Sequence, residues 1–313
     1  MKAFIRKIFA RILYALNVIF SYLETRLSRE SQEPQSSSLI PIFIIGAPRS
    51  GSTLLYQVLT AHYDIGYLTN FHCKFWGAPS WAQRLIDPLR WRRETDFQSH
   101  HGQTEGIAAP SECGQFWYRF FRRKPQYVPQ SEANPLKMAQ MGKAVYSLIL
   151  SINRPLLFKN MNCALRLQPI ATALPKALFI VIHRGLVDNA HSLLEVRMKV
   201  NGSYDAWWSM EPPNIDELRK LPSHEQVIKQ IREIYDLIRC DREKIGESRF
   251  LDIDYAEFCR DTGTSLAKLE DFLRKHGVDL KQLADVPSSF QRPTKINIPQ
   301  ELYQKLKAYA ANH

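Results

Sequence analysis

Two stretches of this chain place a cation among glycines and hydroxyls at the end of an apolar run. In the first, Gly46-Ala47-Pro48-Arg49-Ser50-Gly51-Ser52-Thr53 follows Pro41-Ile42-Phe43-Ile44-Ile45 and leads into Leu54-Leu55-Tyr56-Gln57-Val58-Leu59. A continuous β-branched apolar run reads as a buried parallel strand, and the residues after the loop read as a helix. Strand, small-residue loop and helix N-terminus together make a phosphate cradle, because backbone N–H groups point at the anion and the helix dipole adds to them. The loop approaches G-x-x-x-x-G-K-[ST] but carries Ser52 where the lysine would stand. That lysine serves the β- and γ-phosphates of a triphosphate. Here the cation is Arg49, inside the loop, which suits a single terminal phosphate. An ordinary strand–helix turn is the alternative.

The second run, Ala177-Leu178-Phe179-Ile180-Val181-Ile182, also reads as a buried strand and ends in His183-Arg184. The aspartate of a magnesium-dependent phosphoryl-transfer site is missing there. A cation replaces the metal ligand. Ser192 lies eight residues after Arg184. With a helix beginning near Val187, Ser192 falls in its first turns and can point back toward the strand end. Arg184 and Ser192 could then clamp a second phosphate.

Together the two motifs resemble those of the sulfotransferase superfamily, which uses 3′-phosphoadenosine 5′-phosphosulfate as donor. The first loop resembles its 5′-phosphosulfate loop, and Arg184 through Ser192 resembles its 3′-phosphate motif, within a similarity running over residues 40–275. The resemblance implies an α/β fold, a central parallel sheet with helices on both faces, and no metal. It implies that Arg49 and the backbone of Ser50, Gly51, Ser52 and Thr53 hold the 5′-phosphosulfate, and that Arg184 and Ser192 hold the 3′-phosphate. It sets Lys159, in Phe158-Lys159-Asn160, at the bridging oxygen of the leaving group, and Tyr255, after Asp252-Ile253-Asp254, near the adenine. Arg292 and Lys295 could reach the nucleotide from the C-terminal segment or stand as solvated surface cations.

Sulfuryl transfer to a hydroxyl is an in-line displacement in which little covalent work falls to the protein. Acceptor oxygen, sulfur and leaving oxygen must be aligned, and charge on the leaving phosphate must be neutralised. Arg49 and Lys159 suit that task. A base must take the acceptor's proton. Many cytosolic members of the superfamily carry a histidine two residues after the lysine, but this chain has Met161 there. Glu112, in Pro110-Ser111-Glu112-Cys113-Gly114, is the candidate base, with Glu105, His72, His100 and His101 as competitors. A P-loop kinase would need the missing lysine and an acidic magnesium ligand. A non-catalytic nucleotide-binding module would have no use for Lys159.

The chain that must position these groups has 313 residues and a net charge of +11. The charge points to an anionic partner without choosing among nucleotide, acidic glycan, nucleic acid and anionic membrane. With the two motifs in hand, no nucleic-acid partner is expected. The 45% hydrophobic content exceeds that of a disordered chain. The five cysteines form no C-x-x-C pair, so reduced thiols and a cytoplasmic location are expected. His100-His101 with Cys73 or His72 lacks a second ligand pair at metal spacing.

Residues 1–30 form a cationic segment with apolar residues at helical spacing, followed by a linker over 31–38 and the catalytic body over 39–313. The uncharged run from Ile12 to Leu23 is shorter than the ~20 residues of a spanning helix. An amphipathic helix on the inner membrane face, or one packed on its own domain or on a second subunit in a homodimer, remains open. Within 62–140, read as an acceptor-side insert, Trp76, Trp81, Trp91 and Trp117 alternate with arginines. They could wall a hydroxyl acceptor, most simply a carbohydrate or glycolipid, with a small phenolic or lipid alcohol as the alternative. The bland reading makes them a satellite core. Amphipathic helices are expected over Ser223–Arg242 and Ser265–His276.

Overall fold

The computed structural model describes residues 2–27 (side chains from 8 to 26), 34, 36–86, 95, 97, 104–293 and 295–312. The expected apolar runs are strands: β1 (Pro41–Ile45), β3 (Leu156–Lys159) and β4 (Leu178–His183) are buried almost without interruption. The short β2 (Gly66–Tyr67) and β5 (Phe250–Asp254) complete a parallel sheet in the order β2-β3-β1-β4-β5. Side chains alternate between its two faces, as the pleat requires. Phe43 and Ile45 enter one core with Val145, Leu193, Val227 and Ile234, while Ile42 and Ile44 enter the other with Leu55, Val58, Phe258 and Leu269. Register aligns an aromatic row across four strands. Phe43 stacks on Phe158 at 5.1 Å and on Phe179 at 5.6 Å, and Phe179 stacks on Phe250 at 4.8 Å. Each such pair adds about 0.5–1.5 kcal/mol beyond area burial.

The strand order makes a crevice. The chain leaves β1 toward the β2 edge and leaves β4 toward the β5 edge, so the connections diverge above the C-terminal ends of β1 and β4. Open parallel sheets bind ligands at such switch points. Helix α1 (Lys2–Leu27) lies on the domain surface, and α2 (Ser52–His62) follows the β1 loop. The expected amphipathic helices run over Ser223–Ile245 and Thr262–Lys275, one on each face of the sheet.

His72 serves the fold rather than the crevice. It sits in a capping box with Thr69 at the start of the helix Asn70–Lys74, fully buried. Burial pushes its pKa down to about 4. A base whose folded pKa is depressed contributes stability that is present above its unfolded pKa near 6.5 and is lost as pH falls toward 4. Denaturant unfolding of wild type is therefore expected to lose on the order of 3 kcal/mol across that window, and His72→Gln to lack that slope.

Candidate active site

The loop after β1 is clamped from β4. Gly46 has φ +152° and presses against β4, where a Cβ would meet the Ile182 carbonyl oxygen at 2.7 Å. Arg49 is left-handed at φ +68°, a region that non-glycine residues seldom occupy. Three side chains after β4 hold this turn. Arg184 Nη1 donates to the Arg49 carbonyl oxygen at 3.1 Å, and Arg49 Nε donates to Ser192 Oγ at 3.2 Å. The buried Asn189 amide, oriented with its nitrogen toward the loop, donates to the carbonyl oxygens of Pro48 at 2.8 Å and Arg49 at 3.1 Å. Asn189 was missed by sequence reasoning; its place one turn before Ser192 was the available signal.

Both guanidinium groups face one crevice. Burial first, then the charge of Arg184, lowers the pKa of Arg49. Neither arginine has a carboxylate at ion-pair distance among the described residues. Two half-buried like charges held side by side favour an anion between them. The amides of Ser52, Thr53 and Leu54, in the first turn of α2, have no acceptor among the described residues, and Gly51 offers no side-chain cap. Ser50 differs from its neighbours: its amide donates to the Ala47 carbonyl oxygen at 3.3 Å and its hydroxyl is buried beneath the loop, away from the cavity.

Tyr255 opens the helix Tyr255–Arg260, capped by Asp254 at the end of β5. Its ring lies on Gly51, and Arg184 stands 5.2 Å from the ring centroid. Burial pushes its phenol up to about 12, so it stays neutral. A Cβ on Gly51 would fall 2.1 Å from Tyr255 Cδ2, at φ +99°. Gly51→Ala is therefore expected to cost about 1–2 kcal/mol in backbone strain alone and to displace the ring or the loop. Denaturant unfolding should read that loss as a lower midpoint.

On the other side of β1, Lys159 ends β3 with its side chain 3% exposed. It donates to Thr53 Oγ1 at 3.0 Å and forms a short ion pair with Glu112 Oε1. Asn160 Nδ2 steadies Glu112 through its carbonyl oxygen at 3.2 Å. Met161, which occupies the position of the absent histidine, accepts a contact from Ser52 Oγ at 3.0 Å. Of the other base candidates, Glu105 is exposed outside the cavity and His100 and His101 lie outside the described residues.

These groups line a cavity of about 470 Å³ that includes Arg49, Ser52, Thr53, Glu112, Lys159, Arg184, Ser192 and Tyr255. Its apolar wall comes from Phe97, Trp208 and Phe290. Trp208 is seated by a buried relay, in which Arg197 donates to Gln230 at 3.0 Å and Gln230 donates to the Trp208 carbonyl oxygen at 3.1 Å. The C-terminal segment crosses the mouth: Phe290 N donates to the Cys259 carbonyl oxygen at 2.7 Å, and Asn297 Nδ2 donates to Glu195 at 2.6 Å. Gln291 and Pro293 line the cavity, whereas Arg292 and Lys295 are exposed and do not. Among the insert tryptophans, Trp76 and Trp117 are buried and Trp81 is half-buried against α1; none of the three lines the cavity. Trp91 lies outside the described residues.

A family model described as the sulfotransferase family matches residues 41–277, well over half of the chain. The chain belongs to that family. The omega-hydroxy-beta-dihydromenaquinone-9 sulfotransferases Stf3 of Mycobacterium bovis and Mycobacterium tuberculosis are 21% identical over 258 residues, covering 74% of this chain and 62% of theirs. The chain thus spans less than two thirds of the length of these curated relatives. The crystal structure of sulfotransferase STF9 from Mycobacterium avium matches 90% of this chain and 69% of its own, with a TM-score of 0.52 at 17% identity, a likeness of fold.

Proposed function

We propose that the chain transfers a sulfuryl group from 3′-phosphoadenosine 5′-phosphosulfate to the hydroxyl of a lipid alcohol, glycolipids included. The observation that carries the donor half is the pair of arginines, Arg49 and Arg184, without carboxylate partners among the described residues and beside the unbonded amides of α2. The residues fit such a nucleotide. The flat Tyr255 ring on Gly51 offers an aromatic surface, and the cavity of about 470 Å³ is within the range of nucleotide-sized pockets. When bound, the donor supplies a sulfuryl group on a phosphate leaving group. Arg49 and the amides of Ser52 to Leu54 hold its 5′ end, and Arg184 and Ser192 its 3′-phosphate. Lys159, steadied by Thr53, neutralises charge at the leaving oxygen. The Glu112 carboxylate beside Lys159, partly exposed and lining the cavity, accepts the acceptor's proton.

The acceptor reading rests on the apolar wall of Phe97, Trp208 and Phe290, which suits a hydrocarbon-bearing alcohol. The substrate named for the mycobacterial relatives is also a lipid alcohol. A free carbohydrate loses the support expected from the insert, because its described tryptophans are turned into packing contacts. Calorimetric titration with adenosine 3′,5′-bisphosphate tests the donor half. Binding without magnesium is expected, weakened about 10–150-fold by Arg184→Ala, the range for one lost hydrogen-bonded charge contact. Preference for ATP with magnesium dependence would overturn it in favour of a kinase.

A further inference from the structure

Helix α1 is mounted with its polar side inward. Asn17 is fully buried: its Nδ2 donates to the Lys74 carbonyl oxygen at 2.8 Å, and its Oδ1 accepts from Gly77 N at 2.8 Å. Gly77 is there because nothing larger fits, since a Cβ would lie 2.0 Å from the Asn17 carbonyl oxygen. One heptad later Glu24, 2% exposed, accepts from Ser80 N at 3.1 Å and pairs with the buried Arg119 at 3.4 Å. The opposite side is apolar and uncovered: Phe9 is 65% exposed, Ile12 53%, Val18 51%, Ile19 54% and Tyr22 58%. At about 100° per residue these positions spread over roughly half of the helix circumference. This reverses the usual amphipathic helix, whose apolar stripe faces the core.

We infer that this face is a bilayer-docking surface, with α1 lying in the plane of a membrane rich in anionic lipid. Three observations favour that occupant. The apolar arc is wider than the narrow a/d seam that a paired helix needs. Cations lie within it and beside it: at about 100° per residue the exposed Arg11 and Arg26 fall inside the arc, Arg26 over the Tyr22 ring at 4.9 Å, and Arg123 and Lys137 line a groove of about 230 Å³ between α1 and the domain. Long cationic side chains that carry their charge up to the headgroups from an apolar face are what an anionic leaflet attracts. The stretch Ile8–Arg26 is also long and apolar enough to cross a membrane by length and composition, beyond the 12-residue run read from the sequence. Crossing conflicts with its mounting. Asn17 is near the middle of that stretch, and its bonds to Lys74 and Gly77 would drag loop backbone into the hydrocarbon centre. The docking stands on α1 alone; its consequence, that the acceptor is met at the membrane surface, rests on the sulfuryl-transfer reading above.

Flotation of the full chain with phosphatidylcholine vesicles, with and without phosphatidylglycerol, tests the docking. Wild type is expected to float with the anionic vesicles and to be released by salt. Ile12→Glu with Ile19→Glu should lower partitioning about 100-fold or more, and leave adenosine 3′,5′-bisphosphate binding unchanged as proof of folding. Hydrogen exchange of wild type should show vesicle-dependent protection within residues 8–26, a readout that needs no variant. Wild type that stays in the aqueous phase in every mixture would overturn the proposal. So would a lipid-free dimer in sedimentation velocity that the same two substitutions dissociate, since the occupant would then be a second copy. Vesicle binding that persists in a chain unable to bind the bisphosphate would uphold the docking and defeat the donor assignment instead.

Discussion

Lys159→Met is expected to lower kcat about 10²–10³-fold while leaving adenosine 3′,5′-bisphosphate affinity within a few-fold of wild type. The magnitude is that of one preorganised donor removed from a site of developing charge. The effect should fall on kcat, because charge accumulates on the leaving oxygen in the transition state and little of it is present in the bound donor. The environment supports the large value. Lys159 is 3% exposed, so water does not readily replace the ammonium, and Thr53 Oγ1 at 3.0 Å fixes its direction. Methionine keeps most of the volume, and the partly exposed Glu112 left behind can be solvated. Single-turnover sulfuryl transfer to a lipid-alcohol acceptor reads the result. A variant with wild-type kcat would remove Lys159 from the chemistry.

Glu112→Gln should lower kcat about 10²–10⁴-fold, the span of general-base contributions, with donor affinity unchanged. Glutamine keeps an oxygen for Lys159 and the backbone bond from Asn160, so loop geometry is preserved. What disappears is the capacity to take a proton. Because Lys159 and Glu112 touch, their losses should not add; the double variant is expected to be little worse than the poorer single one. Full turnover by Glu112→Gln would assign the proton to another group, and additive losses would show that the two residues act separately.

The strand–loop–helix at residues 41–59 and the strand that leads into Arg184 were legible because each is local. A buried parallel strand announces itself as a continuous apolar run, and a loop that must cradle an anion announces itself by small residues and a cation. Lys159 and Tyr255 were reached through family likeness rather than through spacing, since a lysine or a tyrosine at the end of a short run has many uses. The aromatic insert left two readings open for a related reason. Tryptophan and arginine alternate both in ligand walls and in packed helical inserts, and only burial separates the two: Trp76 meets Tyr14 of α1 at 5.4 Å and Trp117 meets Phe43 of β1 at 5.6 Å.

By itself the amino-acid order determined the parallel α/β layout, the two cationic turns and the absence of a Walker lysine, because periodicity and loop composition are properties of neighbouring residues. Tertiary structure alone decided that Glu112 reaches Lys159, that Asn189 holds the arginine turn, that the Tyr255 ring covers Gly51, and that Phe290 closes the mouth. Each of these contacts depends on which strands become neighbours. It likewise decided that Asn17 and Glu24 turn inward and leave the apolar side of α1 outward. A helical pattern defines two faces, and the sign of their orientation is set by whichever one finds hydrogen-bond partners on the domain.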